Sequence, residues 1–373
     1  MPAKDASRLQ GRIIVYKLSS LQAARGLAAL FVVAFHSLFI NAKYVKGERL
    51  LPELFVFGQT GVDLFFVISG FVMIIAFRNK FGLKGEVADF LKGRFFRIYP
   101  TYWVYFLAIF FVAQVKPELV NGSQGGAVDM TWSFFLLPHS ALPLLMVAWS
   151  LIHEVWFYLV FALILMLPAK RITHAFALWL ITIIGVSIFS DTPENPYLRV
   201  MFHEFSIEFI LGALAGITYL RLSSVSSASP FTIPLMGLTG LAGLVYALTT
   251  DVVGDADVIQ SIPLERAFAI GGGYTLLLLA FALQEAKGRL KSFGFLKSAG
   301  DMSYSLYLSH VLTLSVCGRL WVMTGLSGNN FWHATLFWTV SYTAVLVVAY
   351  CSYQLIERKL LNLSRNIQLP VRT

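Results

Sequence analysis

Apolar segments of about 20 residues recur along this chain of 373 residues, and each is long enough to cross the hydrocarbon core of a membrane. Only 13% of the residues are charged, whereas an ordinary soluble domain carries about 25%, and 57% are hydrophobic. These values argue against a disordered chain, a fibre or a water-soluble enzyme. The sequence therefore predicts an all-α fold, a polytopic bundle of membrane-spanning helices.

The apolar windows place about ten transmembrane helices in the chain. Their predicted positions are 18–40, 54–77, 99–115, 149–167, 172–190, 203–220, 232–250, 264–284, 302–324 and 333–354.

The distribution of basic residues predicts the orientation of the bundle. The chain carries 29 Lys and Arg against 20 Asp and Glu, and most of the basic residues fall in alternate short loops. Such loops face the cytoplasm, so both termini are predicted to be cytoplasmic and the net charge of +9 does not indicate a nucleic-acid partner. We expect one domain over 1–373, with a cytoplasmic start (1–17), an outer loop (116–148) and a cytoplasmic tail (355–373).

The outer loop contains a second apolar stretch, 131–147, that carries Pro138 and Pro143. Proline breaks a helix interior, so this stretch is predicted to be re-entrant or interfacial rather than an eleventh span. Such a segment is tolerated at membrane depth only where it packs on protein or lines a cavity.

Two ionisable residues lie in the first predicted helix, Arg25 and His36, in an R-x10-H spacing. On a helix they are about 16 Å apart along the axis and lie within about 20° of the same face. Arg25 could simply reach lipid phosphate, and His36 could be a hydrogen-bonded interior histidine. As a pair they favour function, because histidine is well suited to take a proton from a hydroxyl at neutral pH.

Two acidic residues near the outer ends of other helices are further candidates. Asp63 could orient a neighbouring histidine, or it could form an interhelical ion pair. Glu154, next to His153, could accept a hydrogen bond from a sugar hydroxyl or pair with His36 or Arg199. Adjacent helix positions point about 100° apart, so Glu154 is favoured over His153.

Arg94 and Arg97 form an R-x-x-R pair on one predicted helical face at the cytoplasmic surface. Paired guanidinium groups suit phosphate recognition, although the pair could also anchor the chain beside anionic lipid. Together with Arg25 they predict a site for an anionic, phosphate-bearing ligand.

Other polar residues in the predicted spans receive simpler interpretations. Glu204 and Glu208 share a face and could contact substrate, but a solvated rim would explain them as well. His310 is interpreted as a satisfied interior histidine, and Glu357 as part of a charge cluster at the membrane interface.

These motifs together resemble the acyltransferase 3 family of integral membrane O-acyltransferases, and the resemblance covers nearly the whole chain. Within that family the sequence is most similar to exopolysaccharide acetyltransferases of the succinoglycan type. The segment around Ile152 and His153 departs from the family's more frequent motif but leaves Glu154 aligned. The segments that carry the resemblance are LSSLQAARGLAALFVVAFH, GVDLFFVISGF, FLKGRFFRIYP, WSLIHEVWFY, GDMSYSLYLSH and YQLIERKL.

The resemblance implies that Arg25 and His36 are the essential R-x10-H pair and that Arg94 and Arg97 match the family's cytoplasmic R-x-x-R. It also implies a cytoplasmic acyl-CoA donor, with acetyl-CoA expected, and a glycan or lipid-linked glycan acceptor. We expect a multi-pass protein of the bacterial inner (plasma) membrane whose partners include membrane lipids. No metal site is predicted, since no ligand cluster has suitable spacing.

Other functions are compatible with the same residues. A small-molecule or lipid acceptor could replace the glycan. Intramembrane charges would also serve a glycan transporter or flippase, but repeated halves or paired broken helices are not evident. A regulatory scaffold would tolerate replacement of Arg25 and His36.

Overall fold

A computed structural model gives the fold over residues 18–45, 51–120, 128–223, 231–254, 259–290, 293–326 and 331–366. All regular secondary structure in these ranges is helical, and ten helices there are long and apolar enough to cross a membrane. The predicted all-α membrane bundle is confirmed. The cytoplasmic position of both termini stays a prediction, and 1–17 and 367–373 lie outside the described residues.

We number the ten spans in chain order. Their bounds are α1 (Ser19–Tyr44), α2 (Glu53–Phe77), α3 (Glu86–Val115), α4 (Met146–Leu165), α5 (Ala169–Phe189), α6 (Pro196–Leu222), α7 (Thr232–Thr249), α8 (Leu264–Ala286), α9 (Ser303–Met323) and α10 (Phe331–Leu363).

Several spans change helical form along their length, and α8 and α10 each contain a π-helical turn, a feature often found at functional sites. The segments are a 3-10 turn Glu53–Thr60 and an α-helix Gly61–Phe77 in α2; Pro196–Phe202 and Phe205–Leu222 in α6; Leu264–Arg266, a π turn Ala267–Gly271 and Gly272–Ala286 in α8; and Phe331–Ser352 and a π turn Tyr353–Glu357 in α10, which ends within the helix Arg358–Asn366. Short helices outside the spans include Pro117–Leu119, Met130–Phe135 and Gly294–Asp301.

α3 and α10 extend well beyond their predicted bounds. α3 begins at Glu86 rather than near residue 99, and α10 continues as helix beyond residue 354. The added parts carry charged residues, which lower the hydropathy of a window without interrupting a helix. Arg94, Arg97 and Glu357 therefore lie on membrane helices rather than in loops.

The proline-containing stretch is not a span. It forms the short helix Met130–Phe135, then runs without helix to a 3-10 turn at Met146–Ala148. Tyr102 on α3 donates a hydrogen bond to the carbonyl oxygen of Ser133 at 2.5 Å. The stretch thus packs on protein, the condition under which a non-helical segment is tolerated at membrane depth.

Residue contacts divide the chain into two compact units. Unit 1 comprises Met1–Val32, Val56–Val87 and Leu159–Asp301, and unit 2 comprises Val33–Phe55, Ala88–Tyr158 and Met302–Thr373.

Close backbone contact holds α2 against α6 in unit 1. A Cβ atom on Gly70 would lie 2.0 Å from the carbonyl oxygen of Phe209, and one on Gly212 would lie 2.0 Å from that of Val67. Small residues are what allow membrane helices to approach so closely.

The first turn of α1 is capped by a side chain from α8. The carboxylate of Glu285 accepts hydrogen bonds from the backbone nitrogens of Ser19 at 2.6 Å and Ser20 at 2.8 Å. These nitrogens have no partner within the helix, and a negative charge at a helix N-terminus is favourable. Glu285 therefore fixes the start of the helix that carries Arg25 and His36.

Candidate active site

α1 is one continuous helix through Arg25 and His36, so the spacing that the sequence predicted is realised. Arg25 belongs to unit 1 and His36 to unit 2. The His36 side chain is partly exposed, between the rings of Phe35 and Phe39 at 5.4 and 6.3 Å. Its imidazole is therefore partly exposed and not sealed within aliphatic packing.

His36 contacts a second histidine within unit 2. Nε2 of His310, on α9, lies 3.2 Å from Nδ1 of His36. His310 is completely buried, and its own Nδ1 lies 2.7 Å from the carbonyl oxygen of Tyr307 and 3.2 Å from that of Leu306. The interior, satisfied position predicted for His310 is correct, but its partner is the candidate catalytic residue.

Hydrogen bonds from α10 hold the His36 segment of α1 in place within unit 2. Tyr342 donates to the hydroxyl of Ser37 at 3.1 Å, and Trp338 donates to the side-chain oxygen of Asn41 at 3.3 Å. The position of the His36 ring is therefore set by two neighbouring spans, α9 and α10.

Arg97 is engaged in a buried ion pair. Its Nη1 lies 2.7 Å from Oε1 of Glu357, whose side chain is 0% exposed. The other oxygen of Glu357 accepts hydrogen bonds from the backbone nitrogen and the hydroxyl of Ser305 at 3.2 and 2.7 Å. Glu357 is therefore not an exposed member of a charge cluster, because its carboxylate is enclosed by α3, α9 and the π turn of α10.

Arg94, one turn before Arg97, has a different environment. Its guanidinium carbon lies 5.7 Å from the ring centre of Phe90 and 5.5 Å from that of Tyr158. Its buried Nε finds no hydrogen-bond acceptor among the residues that the structure describes. Arg94 is thus held by aromatic faces and keeps donor capacity for an anionic ligand.

Glu154, on α4, accepts a hydrogen bond from the hydroxyl of Tyr158 one turn later on the same helix. Glu154 is partly exposed, whereas the adjacent His153 is buried between the rings of Trp149 and Phe157. This difference agrees with the preference for Glu154 over His153, although it does not test the role of Glu154.

Asp63 lies in a separate charged cluster in unit 1. Its two carboxylate oxygens accept hydrogen bonds from Nε and Nη2 of Arg266, on α8, at 3.2 and 3.0 Å. Both side chains are almost completely buried, at 0% and 1% exposure. Of the two roles that the sequence left open for Asp63, the geometry matches the interhelical ion pair.

The acids of α6 are buried rather than exposed at a rim. Glu208 is fully buried near Asp63 and Arg266, and Glu204 accepts hydrogen bonds from the hydroxyl of Ser187 at 2.9 Å and the nitrogen of Ile262 at 3.2 Å. The interpretation of Glu204 and Glu208 as a solvated rim is therefore wrong.

A family model described as an acyltransferase domain matches residues 18–354 of this chain. The matched range includes His36, His310 and the R-x-x-R pair. The chain belongs to this acyltransferase family. The resemblance drawn from the motifs is thereby confirmed.

Two relatives are similar to this acyltransferase over most of its length. It is 28% identical over 324 residues to "Exopolysaccharide production protein ExoZ" of Rhizobium meliloti, covering 83% of this chain and 92% of ExoZ. It is 26% identical over 336 residues to "O-acetyltransferase OatA" of Staphylococcus aureus, covering 83% of this chain and 53% of OatA. No solved structure matches this chain.

Sequence reasoning singled out His36, Arg94 and Glu154, which the structure places within unit 2 of the acyltransferase. It missed the contact of His310 with His36 and that of Glu357 with Arg97. A signal existed in each case: His310 is a histidine within an apolar run, and Glu357 is the last acidic residue of the sequence, at the end of an apolar run. Among the described residues, no group of three or more His, Cys, Asp and Glu could hold a metal ion.

Proposed function

We propose that this acyltransferase moves an acetyl or another short acyl group from acyl-CoA to a hydroxyl of an exopolysaccharide or of its lipid-linked precursor. The observation that carries the proposal is a partly exposed imidazole, His36, inside a membrane span of a chain that belongs to an acyltransferase family. The names of the relatives ExoZ and OatA support the polysaccharide acceptor and the acetyl group respectively.

In this proposal His36 is the general base. One of its ring nitrogens takes the proton of the acceptor hydroxyl as the hydroxyl oxygen attacks the thioester carbon. The new C–O bond forms, the C–S bond breaks, and the coenzyme A sulfur leaves as a thiolate. The imidazolium returns its proton to that sulfur, so His36 is regenerated. A positioned general base contributes typically 10²–10⁴-fold to rate.

We propose Arg94 as the principal protein contact of the donor phosphates. Its guanidinium is positioned by two rings and forms no ion pair among the described residues, so its charge could be matched by a donor phosphate. Arg97 is already neutralised by Glu357, so its role in donor binding would be to position α3. Arg25 remains a proposed further contact, and Glu154 a proposed acceptor for a sugar hydroxyl.

The acyl transfer is tested with purified protein in lipid nanodiscs, acetyl-CoA labelled in the acetyl group, and exopolysaccharide from cells that lack this protein. We expect label in the polysaccharide or in a lipid-linked saccharide. His36→Ala should lower the rate at least about 10²-fold, whereas His174→Ala, an exposed histidine on α5, should not. A wild-type rate in His36→Ala at equal protein amount would overturn the mechanism, and label only in simple lipids would overturn the acceptor.

The donor contact is tested with two donors of different length. Arg94→Gln should raise KM for acetyl-CoA by about 10–100-fold, because this fold-change corresponds to the free energy of one hydrogen bond to a charged group. It should leave KM unchanged for acetyl-pantetheine, which lacks the nucleotide phosphates. Lys84→Gln, an exposed cation before α3, serves as the matched control. Equal effects of Arg94→Gln on both donors would refute phosphate binding by Arg94.

The sidedness of the donor is tested with membrane vesicles of both orientations. Acetyl-CoA does not cross a bilayer unaided, because it carries several charges. Cytoplasmic loading predicts that only inside-out vesicles incorporate label from added acetyl-CoA. Incorporation only by right-side-out vesicles would reverse the predicted topology.

A further inference from the structure

His310 is held in one orientation by its own helix. Its Nδ1 lies within hydrogen-bond distance of two backbone carbonyl oxygens, those of Tyr307 at 2.7 Å and Leu306 at 3.2 Å. A carbonyl oxygen only accepts hydrogen bonds, so Nδ1 of His310 must carry a proton. The backbone of α9 therefore selects the tautomer of this ring.

The opposite nitrogen of His310 faces His36. His310 is completely buried in a membrane span, and its hydrogen-bond partners are two carbonyls and an imidazole, none of them a carboxylate. A second proton would place a charge there without a counter-ion, which is costly. The neutral ring has its lone pair on Nε2, and this nitrogen accepts a hydrogen bond.

The donor of that bond is Nδ1 of His36, 3.2 Å away. A neutral imidazole carries one proton, so a proton on Nδ1 leaves the lone pair of His36 on Nε2. Without a partner, either nitrogen of His36 could carry the proton. The chain of contacts from the α9 backbone through His310 thus determines which atom of His36 can act as a base.

We propose that His310 is a positioning residue that keeps His36 protonated on Nδ1 and basic on Nε2. This inference rests on the proposed function, in which His36 takes the hydroxyl proton. The proton moves from the acceptor hydroxyl to Nε2 of His36 and then to the leaving sulfur, while Nδ1 keeps its hydrogen bond to His310. His310 itself neither gains nor loses a proton in the cycle.

A neutral orienting residue suits a site within a membrane. In serine hydrolases a carboxylate performs the same orienting task and also stabilises the imidazolium. At this position a carboxylate would add a buried charge for the whole of the resting state. An imidazole anchored on backbone carbonyls directs the tautomer without that desolvation cost.

The tautomer is tested directly by solid-state NMR of the full chain in lipid bilayers, with nitrogen-15 in its histidines. Difference spectra against His36→Gln and His310→Gln assign the two rings. We expect both to be protonated on Nδ1 and unprotonated on Nε2 near neutral pH. A His36 ring protonated on Nε2 would overturn the proposal, whether or not the protein shows acyltransferase activity.

Kinetics of two His310 variants give the second test. The side-chain oxygen of glutamine can still accept from His36, so His310→Gln should keep kcat within about 10-fold. His310→Leu removes the acceptor, so kcat should fall by about 10²–10⁴-fold with KM for acetyl-CoA unchanged. Equal kcat values for the folded Leu and Gln variants would overturn the proposal.

The two tests separate this inference from the proposed function. If His310→Leu does not fold, judged by its melting temperature in detergent, the NMR result on the wild-type protein decides. If His36→Ala retains full activity while the wild-type rings show the expected tautomers, the proposed function fails but the orienting contact stands.

Discussion

Replacing Arg97 by glutamine should destabilise this protein far more than replacing a neighbouring exposed cation. The partner of Arg97, Glu357, is 0% exposed, and Arg97 itself is 23% exposed. Removal of Arg97 leaves the carboxylate with only the two donors of Ser305, at 3.2 and 2.7 Å. An uncompensated buried charge of this kind costs about 3–5 kcal/mol.

Glu357→Gln should cost less, about 1–3 kcal/mol, because the partly exposed Arg97 can reach water or lipid headgroups when its partner is neutral. In Arg97→Gln/Glu357→Gln two neutral amides replace the ion pair and no charge is buried. We therefore expect the double variant to be more stable than Arg97→Gln alone. Arg358→Gln is the matched control, because Arg358 is exposed and its hydrogen-bond partner in the described part of the chain is Gln354.

The measurement is reversible unfolding of the purified variants in mixed detergent micelles, read by tryptophan fluorescence, with free energies combined as a double-mutant cycle. We expect a coupling of about 1–3 kcal/mol between Arg97 and Glu357. Two results would refute the reasoning: Arg97→Gln as stable as Arg358→Gln, or a double variant whose loss equals the sum of the two single losses.

Three further stability changes follow from unit 1. The Glu285 and Gly300 changes are measured by the melting temperature of the purified variant, and the Arg266 change by the amount of folded protein recovered. Glu285→Gln removes the charge that caps α1 and should cost about 1 kcal/mol, so a melting temperature equal to wild type would contradict the capping role. Arg266→Leu leaves the buried carboxylate of Asp63 uncompensated and should prevent accumulation of folded protein. The double variant Arg266→Leu/Asp63→Leu should accumulate folded protein again, and failure to do so would argue against the Asp63–Arg266 ion pair. Gly300→Ala places a Cβ 1.8 Å from a backbone oxygen of α1 and should cost about 1–3 kcal/mol, while Gly93→Ala, with nothing within 4 Å of its Cβ, should not destabilise.

The sequence was least informative where charged residues lie on membrane helices. Hydropathy placed the start of α3 too late because Arg94 and Arg97 lower the apolar average of their window. It placed the end of α10 too early because of the charges at and after Glu357. A helical segment whose charged side chains pair with another helix has the same composition as a polar loop. Only the partner across the fold distinguishes the two.

The sequence alone determined the ten-span helical architecture, the shared face of Arg25 and His36, and the family. Length and hydropathy of a run, and periodicity along one helix, are local properties that the chain carries without reference to its fold. The tertiary structure alone decided which charges and imidazoles meet. His36 and His310 are 274 positions apart, Arg97 and Glu357 are 260 apart, and Asp63 and Arg266 are 203 apart. No local pattern encodes such contacts, because they depend on how separate helices pack.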